Sequence, residues 1–245
     1  MPVTPLSTVP YTAEQDGAVP QLLDVHRTEA APASAPCVLL WHGSAPDTRF
    51  EVAALARETA RYGVTVFVPD WRPDAPDGGR AHLMASWRYV RENAASFGAD
   101  PGRTVVAGWS MGAGAAVAMA LRPDLTDGPL PKAVVGIAGL YGRAARSTGS
   151  VPLEDLAASP STGVPVVLVH GSADTIVESR HSRDFHTALV GHRRPVSLYE
   201  PATDHAGVVM SAFDPALGHC VPATSPQALR AGRDTARLVA RAALD

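Results

Sequence analysis

Residues 108–112 read Gly-Trp-Ser-Met-Gly, and their neighbours give the pattern its force. Before them lies a short β-type run, Thr104-Val105-Val106-Ala107, and after them a small-residue helical stretch over 113–121. Strand, sharp turn and helix in that order place Ser110 at the tip of a strained bend, its hydroxyl exposed above a sheet. A side chain at Gly108 or Gly112 would collide where strand and helix cross. Gly114 and the alanines around it let the helix pack tightly on that sheet. A chain with this bend must build a sheet beneath it, and Ser110 becomes its candidate nucleophile.

The rest of the sequence supplies the sheet. Residues 36–41 are a continuous apolar run, as expected of a strand buried on both faces. Helical spacing follows over 50–61, a strand over 64–68 and an amphipathic helix over 80–96. Beyond the Ser110 bend come strands at 133–138, 164–169 and 195–199, with helices at 180–190 and 225–244. Two antiparallel lead-in strands are predicted near 8–12 and 20–27. This alternation predicts an α/β fold with a mostly parallel central sheet and helices on both faces. With 245 residues, 46% of them hydrophobic, the chain suits one domain spanning 1–245 with little or no cap. Residues 142–162, rich in Gly, Ser, Pro and Arg, read as a crossover and a short lid.

Composition narrows the function classes. The net charge is −3, Lys132 is the sole lysine, and no Lys/Arg stripe forms, which argues against a nucleic-acid partner. The longest apolar runs, near 113–121 and 133–140, fall short of the roughly 18 residues that span a bilayer, so no membrane partner is expected. Residues 1–11 show neither the basic start nor the apolar core of a secretory leader, and the default location is cytoplasmic. Cys37 and Cys220 form no disulfide framework and no metal motif. No metal and no cofactor is expected, since no phosphate-cradling loop is present either.

A serine hydroxyl needs a base within hydrogen-bond reach and a group that orients the base. The sequence offers both in the order serine, acid, histidine. The 166–169 strand runs into His170-Gly171-Ser172-Ala173-Asp174, which puts Asp174 on the same rim of the sheet as the bend. The next strand leads to Asp204-His205-Ala206-Gly207, which brings His205 to that rim. The rivals read differently. His42 and His170 each follow a strand and precede a glycine, a placement suited to bonding loop backbone. His181, His186 and His192 fall on or after an exposed helix, and His219 falls in an irregular loop. Glu178 is the second-choice acid, Asp204 points away if His205 faces the serine, and Asp70 ends a strand too far across the sheet. Two backbone donors are expected for the oxyanion: Met111 N–H at the helix start, and Ser44 N–H in the loop after the 36–41 strand, where Gly43 allows close approach. Trp71, Trp109, Leu140 and Tyr141 follow strand ends or flank the bend and are candidates for the substrate pocket, with core packing the competing reading for each.

Together these motifs resemble the α/β-hydrolase superfamily, and within it the small carboxylesterases grouped with kynurenine-formamidase-like and feruloyl-esterase-like enzymes. The resemblance runs from the lead-in strands through His42-Gly43, the 97–103 approach, the bend, His170 to Asp174, and Asp204-His205. It implies nucleophile, acid and base roles for Ser110, Asp174 and His205. Many relatives carry His-Gly-Gly in the oxyanion loop; here Ser44 stands at the second glycine, which bears on acyl preference. The implied activity is cofactor-independent hydrolysis of a small-molecule ester through an acyl-enzyme. An amide substrate cleaved by an aryl-formamidase, and acyl transfer or cyclisation, use the same triad. A non-catalytic binding protein on this fold usually lacks a triad member.

Overall fold

In the computed structural model, which describes residues 5–12, 19–126 and 128–245, the apolar runs form the middle of an eight-stranded sheet. The reading of residues 1–11 as lacking a leader falls partly outside this set. The strands are β1 (Pro5–Pro10), β2 (Leu22–His26), β3 (Ala35–Trp41), β4 (Thr65–Pro69), β5 (Ala99–Trp109), β6 (Val134–Ile137), β7 (Val166–Val169) and β8 (Val196–Tyr199). Their order is β1-β2-β4-β3-β5-β6-β7-β8. β1 and β2 pair antiparallel, β2 joins β4 antiparallel, and every pair from β4 to β8 is parallel.

The central strands are buried along their whole length, which is why they read as apolar runs rather than alternating ones. Alternation survives as a choice of core. Cys37, Leu39 and Trp41 enter one core with Leu83 and Trp87 of α2 (Arg80–Asn93) and Phe185 and Leu189 of α5 (Arg180–Gly191). Val38 and Leu40 enter the opposite core with Leu55 of α1 (Ala53–Ala60) and Val239 of α6 (Pro226–Leu244). Each helix shows its partner face in its spacing. In α6 the buried residues recur as Ala228, Ala231, Gly232, Thr235, Ala236, Val239, Ala240 and Ala243. Ser225 caps its start by accepting a hydrogen bond from Ala228 N–H at 3.1 Å. By contrast α3 (Met111–Leu121) is buried all round after its first residue, which suits its run of Ala and Gly.

Two regions depart from the sequence expectation. Residues 205–225 contain a hairpin, β9 (Ser211–Asp214) and β10 (His219–Pro222), separate from the main sheet. His219 therefore starts a strand instead of lying in an irregular loop, and Cys220 is buried on it. Strands of four residues with mixed polarity give almost no period to read. Residues 142–162 contain α4 (Pro152–Ala158). Ser147 Oγ donates to Ala115 O of α3 at 2.7 Å, and the buried Asp155 binds Ser150 Oγ at 2.6 Å and Arg122 Nη1 at 3.2 Å. The crossover is thereby tied to α3, on the side from which Ser110 is approached.

Candidate active site

β5 ends at Trp109, α3 begins at Met111, and Ser110 makes the whole turn between them. Its backbone sits at φ 56°, ψ −117°, a conformation that L residues rarely adopt. The flanking glycines are required by space. A Cβ on Gly108 would stand 2.0 Å from Gly112 O, and one on Gly112 2.6 Å from His42 O. Both clashes are with backbone, so neither can be relieved by a rotamer change.

The structure brings three side chains from three loops into one line. Ser110 Oγ lies 3.0 Å from His205 Nε2, and His205 Nδ1 lies 2.6 Å from Asp174 Oδ2. The partners assign the tautomer. An ionised carboxylate only accepts, so Nδ1 carries the proton and Nε2 is left to accept from the serine hydroxyl. The other carboxylate oxygen of Asp174 accepts from Ile176 N–H and Val177 N–H, each at 2.9 Å. Burial opposes the charge on Asp174, but hydrogen bonds from His170 and His205 outweigh it and hold the carboxyl well below the usual carboxylate range. Asp174 is thus an acceptor at neutral pH.

The contact of His170 with Asp174 was not foreseen. Its Nε2 faces Val177 O at 2.7 Å and Asp174 Oδ2 at 3.2 Å, both acceptors, so this nitrogen carries the proton. Nδ1 then accepts from Ser182 Oγ at 2.7 Å. One carboxylate oxygen therefore serves two imidazoles. The expected bonding of loop backbone by His170 is present, and a strand-end histidine gives no sequence cue to the rest.

The His42-Gly43-Ser44 loop is held from behind. His42 is fully buried, and burial pushes its pKa down to about 3, so the ring is neutral. Its Nε2 accepts from Trp71 N–H at 3.1 Å, and its Nδ1 therefore donates to Gly43 O at 3.2 Å. Trp71 Nε1 closes the clamp on His42 O at 3.3 Å. In front, a Cβ on Gly43 would press on the Trp109 ring at 3.2 Å and touch Ser110 Cβ at an ordinary 3.5 Å. Ser44 follows at the cavity surface. Among the described residues neither Ser44 N–H nor Met111 N–H has an intramolecular acceptor.

The sequence from residue 40 to 200, about two thirds of the chain, matches the family described by the alpha/beta hydrolase fold. The chain belongs to the alpha/beta hydrolase family. No curated protein matches it. Solved structures do: an esterase of the planctomycete Thermogutta terrifontis superposes with a TM-score of 0.70 at 18% identity, over 96% of this chain and 90% of that one. A bacterial heroin esterase gives 0.69 at 20% identity, covering 98% and 84%. The esterase Est22 gives 0.71 at 17%, covering 97% and 80%. At such identities the likeness is one of fold.

Two cavities meet at Ser110 and Ser44 in this hydrolase. The larger, about 810 Å³, lies toward α3 and the crossover, with Met111 and Leu140 on its wall. The smaller, about 450 Å³, lies toward the hairpin, with Trp109, His205 and Phe213 on its wall. Of the four residues proposed for the pocket, Leu140 and Trp109 line these spaces. Trp109 also holds the His205 loop, since its Nε1 donates to His205 O at 2.9 Å. Trp71 and Tyr141 do not line them. Trp71 is fully buried behind the His42-Gly43 loop, and Tyr141 is buried with its ring stacked on Phe185 at 4.3 Å. Position after a strand end does not say to which side of the rim a ring turns. The rival groups are occupied elsewhere. Asp70 is ion-paired with Arg49, Glu178 is exposed and 3.1 Å from Arg180, and Asp204 accepts from Gly207 N–H at 2.7 Å. His219 packs edge-on against Phe50. Among the described residues no helix is long and apolar enough to cross a membrane.

Proposed function

We propose that this hydrolase is a serine carboxylesterase acting on a small ester, with Ser110, His205 and Asp174 as nucleophile, base and orienting acid. The single observation that carries the reading is the hydrogen-bonded line Ser110–His205–Asp174, at 3.0 and 2.6 Å, placed where two cavities meet. The solved structures with this fold lend support, since they are esterases, one of them also solved with propionate bound and phosphorylated by paraoxon.

Ser110 Oγ forms a bond to the acyl carbon while His205 Nε2 takes its proton. The carbonyl oxygen becomes an oxyanion that accepts from Ser44 N–H and Met111 N–H. The bond from carbon to the leaving oxygen then breaks, and His205 gives that oxygen the proton. Water attacks the acyl-enzyme, His205 takes a proton from it, and the acid departs as the Ser110 hydroxyl is restored. The two cavities allow acyl and alcohol parts to leave on separate sides of the serine.

The test is turnover of 4-nitrophenyl acetate and butyrate by the purified protein, with a fluorophosphonate as covalent probe. Saturable release of 4-nitrophenolate is expected, together with one label on Ser110 that abolishes it. Release no faster than buffer, with no label, would remove the esterase reading.

The oxyanion assignment has its own test. A backbone donor survives every substitution except proline. Ser44→Ala is expected to keep kcat within a few-fold, while Ser44→Pro is expected to lose about 10²–10³-fold, with circular dichroism showing that the proline variant is folded. A loss of about 10²-fold in Ser44→Ala alone would instead make the hydroxyl the donor.

A further inference from the structure

The two cavities at Ser110 differ in charge, and the difference points to a substrate. Three arginines, Arg80, Arg143 and Arg146, line the larger cavity against one carboxylate, Asp77. Asp77 accepts from Gly79 N–H at 2.9 Å and Ala81 N–H at 2.7 Å at the start of α2 and keeps its charge, so three arginines against one carboxylate leave this lining net positive. Arg80 is partly engaged as well, donating to Leu125 O at 2.9 Å. Arg143 and Arg146 differ from the arginines paired elsewhere in the molecule. Arg49, Arg72, Arg122 and Arg183 each meet a carboxylate, whereas among the described residues neither Arg143 nor Arg146 does.

Arg146 is also placed. It is half-buried, and its Nη1 lies 2.5 Å from where a Cβ on Gly78 would stand, so the guanidinium reaches from the crossover to the 72–80 loop and rests on bare backbone. Gly78 has φ +69°, and no other residue type would leave that shelf open. A guanidinium partly withdrawn from water without a counter-charge is costly, and a planar carboxylate satisfies it with two parallel hydrogen bonds. The same cavity has apolar lining from Met111, Leu140 and Val177.

The smaller cavity has the opposite sign. Glu51 and Asp204 line it, each accepting one backbone N–H and keeping its charge, and among the described residues no Lys or Arg does. A negatively charged group is therefore drawn to one side of Ser110 and repelled from the other, which fixes how an ester lies across the nucleophile.

We propose that the larger cavity takes the anionic half of an ester that carries a free carboxylate a short apolar link away from the scissile bond, with Arg143 and Arg146 binding that carboxylate. This rests on the esterase reading above and specifies its substrate class. The arginines are specificity-determining residues and take no part in the chemical step.

Two matched pairs of esters test it. 4-Nitrophenyl hydrogen adipate against 4-nitrophenyl hexanoate places the charge on the acyl side. 4-Acetoxybenzoate against methyl 4-acetoxybenzoate places it on the alcohol side. In one pair the anionic ester is expected to exceed the neutral one by about tenfold in kcat/KM, and the double substitution Arg143→Gln, Arg146→Gln to reduce that ratio by about tenfold. Its KM should rise with ionic strength. Preference for the neutral ester in both pairs, or an equal loss on both members of each pair in the variant, would overturn the proposal while leaving the esterase reading intact. If none of the four esters turns over and Ser110 takes no fluorophosphonate, the esterase reading is what fails. Calorimetric titration with adipate then decides the arginine assignment: binding that the double variant lacks supports it, and no binding by the parent overturns it.

Discussion

Ser110→Ala is expected to lower kcat/KM for 4-nitrophenyl acetate by about 10³-fold or more. The substitution removes one oxygen from a turn whose shape is set by Gly108, Gly112 and the bond from Ser110 N–H to Ile137 O at 2.8 Å. None of these involves the hydroxyl, so the far-ultraviolet spectrum and the thermal midpoint should stay close to those of the parent. The residual rate comes from oxyanion donors and binding, which remain. Fluorophosphonate labelling should disappear with turnover. Retention of more than about a tenth of the activity, well above the residue expected for a lost nucleophile, would mean that another group attacks the ester.

Asp174→Asn is expected to cost about 10²–10⁴-fold in kcat, and the local contacts say why the asparagine cannot adapt. Ile176 N–H and Val177 N–H both point at Oδ1, so the amide oxygen of the variant is held there. The amide nitrogen must then face His205 and His170, where the parent offers an acceptor to two N–H donors. His205 answers by moving its proton to Nε2, and in that tautomer it cannot accept from Ser110. Glu178→Gln, on an exposed side chain paired with Arg180, is the control and should stay within about twofold. Reversal of the two results would move the acid role to Glu178. The same contacts affect stability. Because the folded carboxyl of Asp174 is held below its unfolded value, its contribution is present above about pH 4 and is lost as pH falls through the folded value. The asparagine variant should show a shallower loss of thermal midpoint on acidification.

Much of this arrangement is legible in one dimension because it follows local rules. Val38 to Trp41 and Val134 to Ile137 are apolar on both faces because both faces are covered, and Ser110 stands between glycines whose spacing only a tight strand-to-helix crossing requires. That Asp174 and His205 reach the rim of Ser110 is legible because each follows a parallel strand, and the parallel strands end on one rim. The direction of a side chain at that rim is another matter. Trp71 follows β4, Leu140 and Tyr141 follow β6, and Trp109 ends β5, yet of these four Trp71 and Tyr141 turn into the core. The arginines of the larger cavity come from positions 30 to 36 residues away from Ser110, and His170, though only four residues before Asp174, reaches it through a loop turn; no period or motif carries either relation. The hairpin of β9 and β10 was missed because its strands are too short to show alternation.

The backbone of Ser110 has a consequence for how such a protein keeps its activity. Holding a residue with a Cβ at φ 56° costs of the order of 1–3 kcal/mol. Glycine would occupy the same turn without that penalty, at about 0.4–1 kcal/mol for the freer unfolded chain. The sturdier version of this molecule is therefore an inert one, and a search for thermal tolerance that never assays turnover would tend to find it. The serine persists only under a demand for what it does.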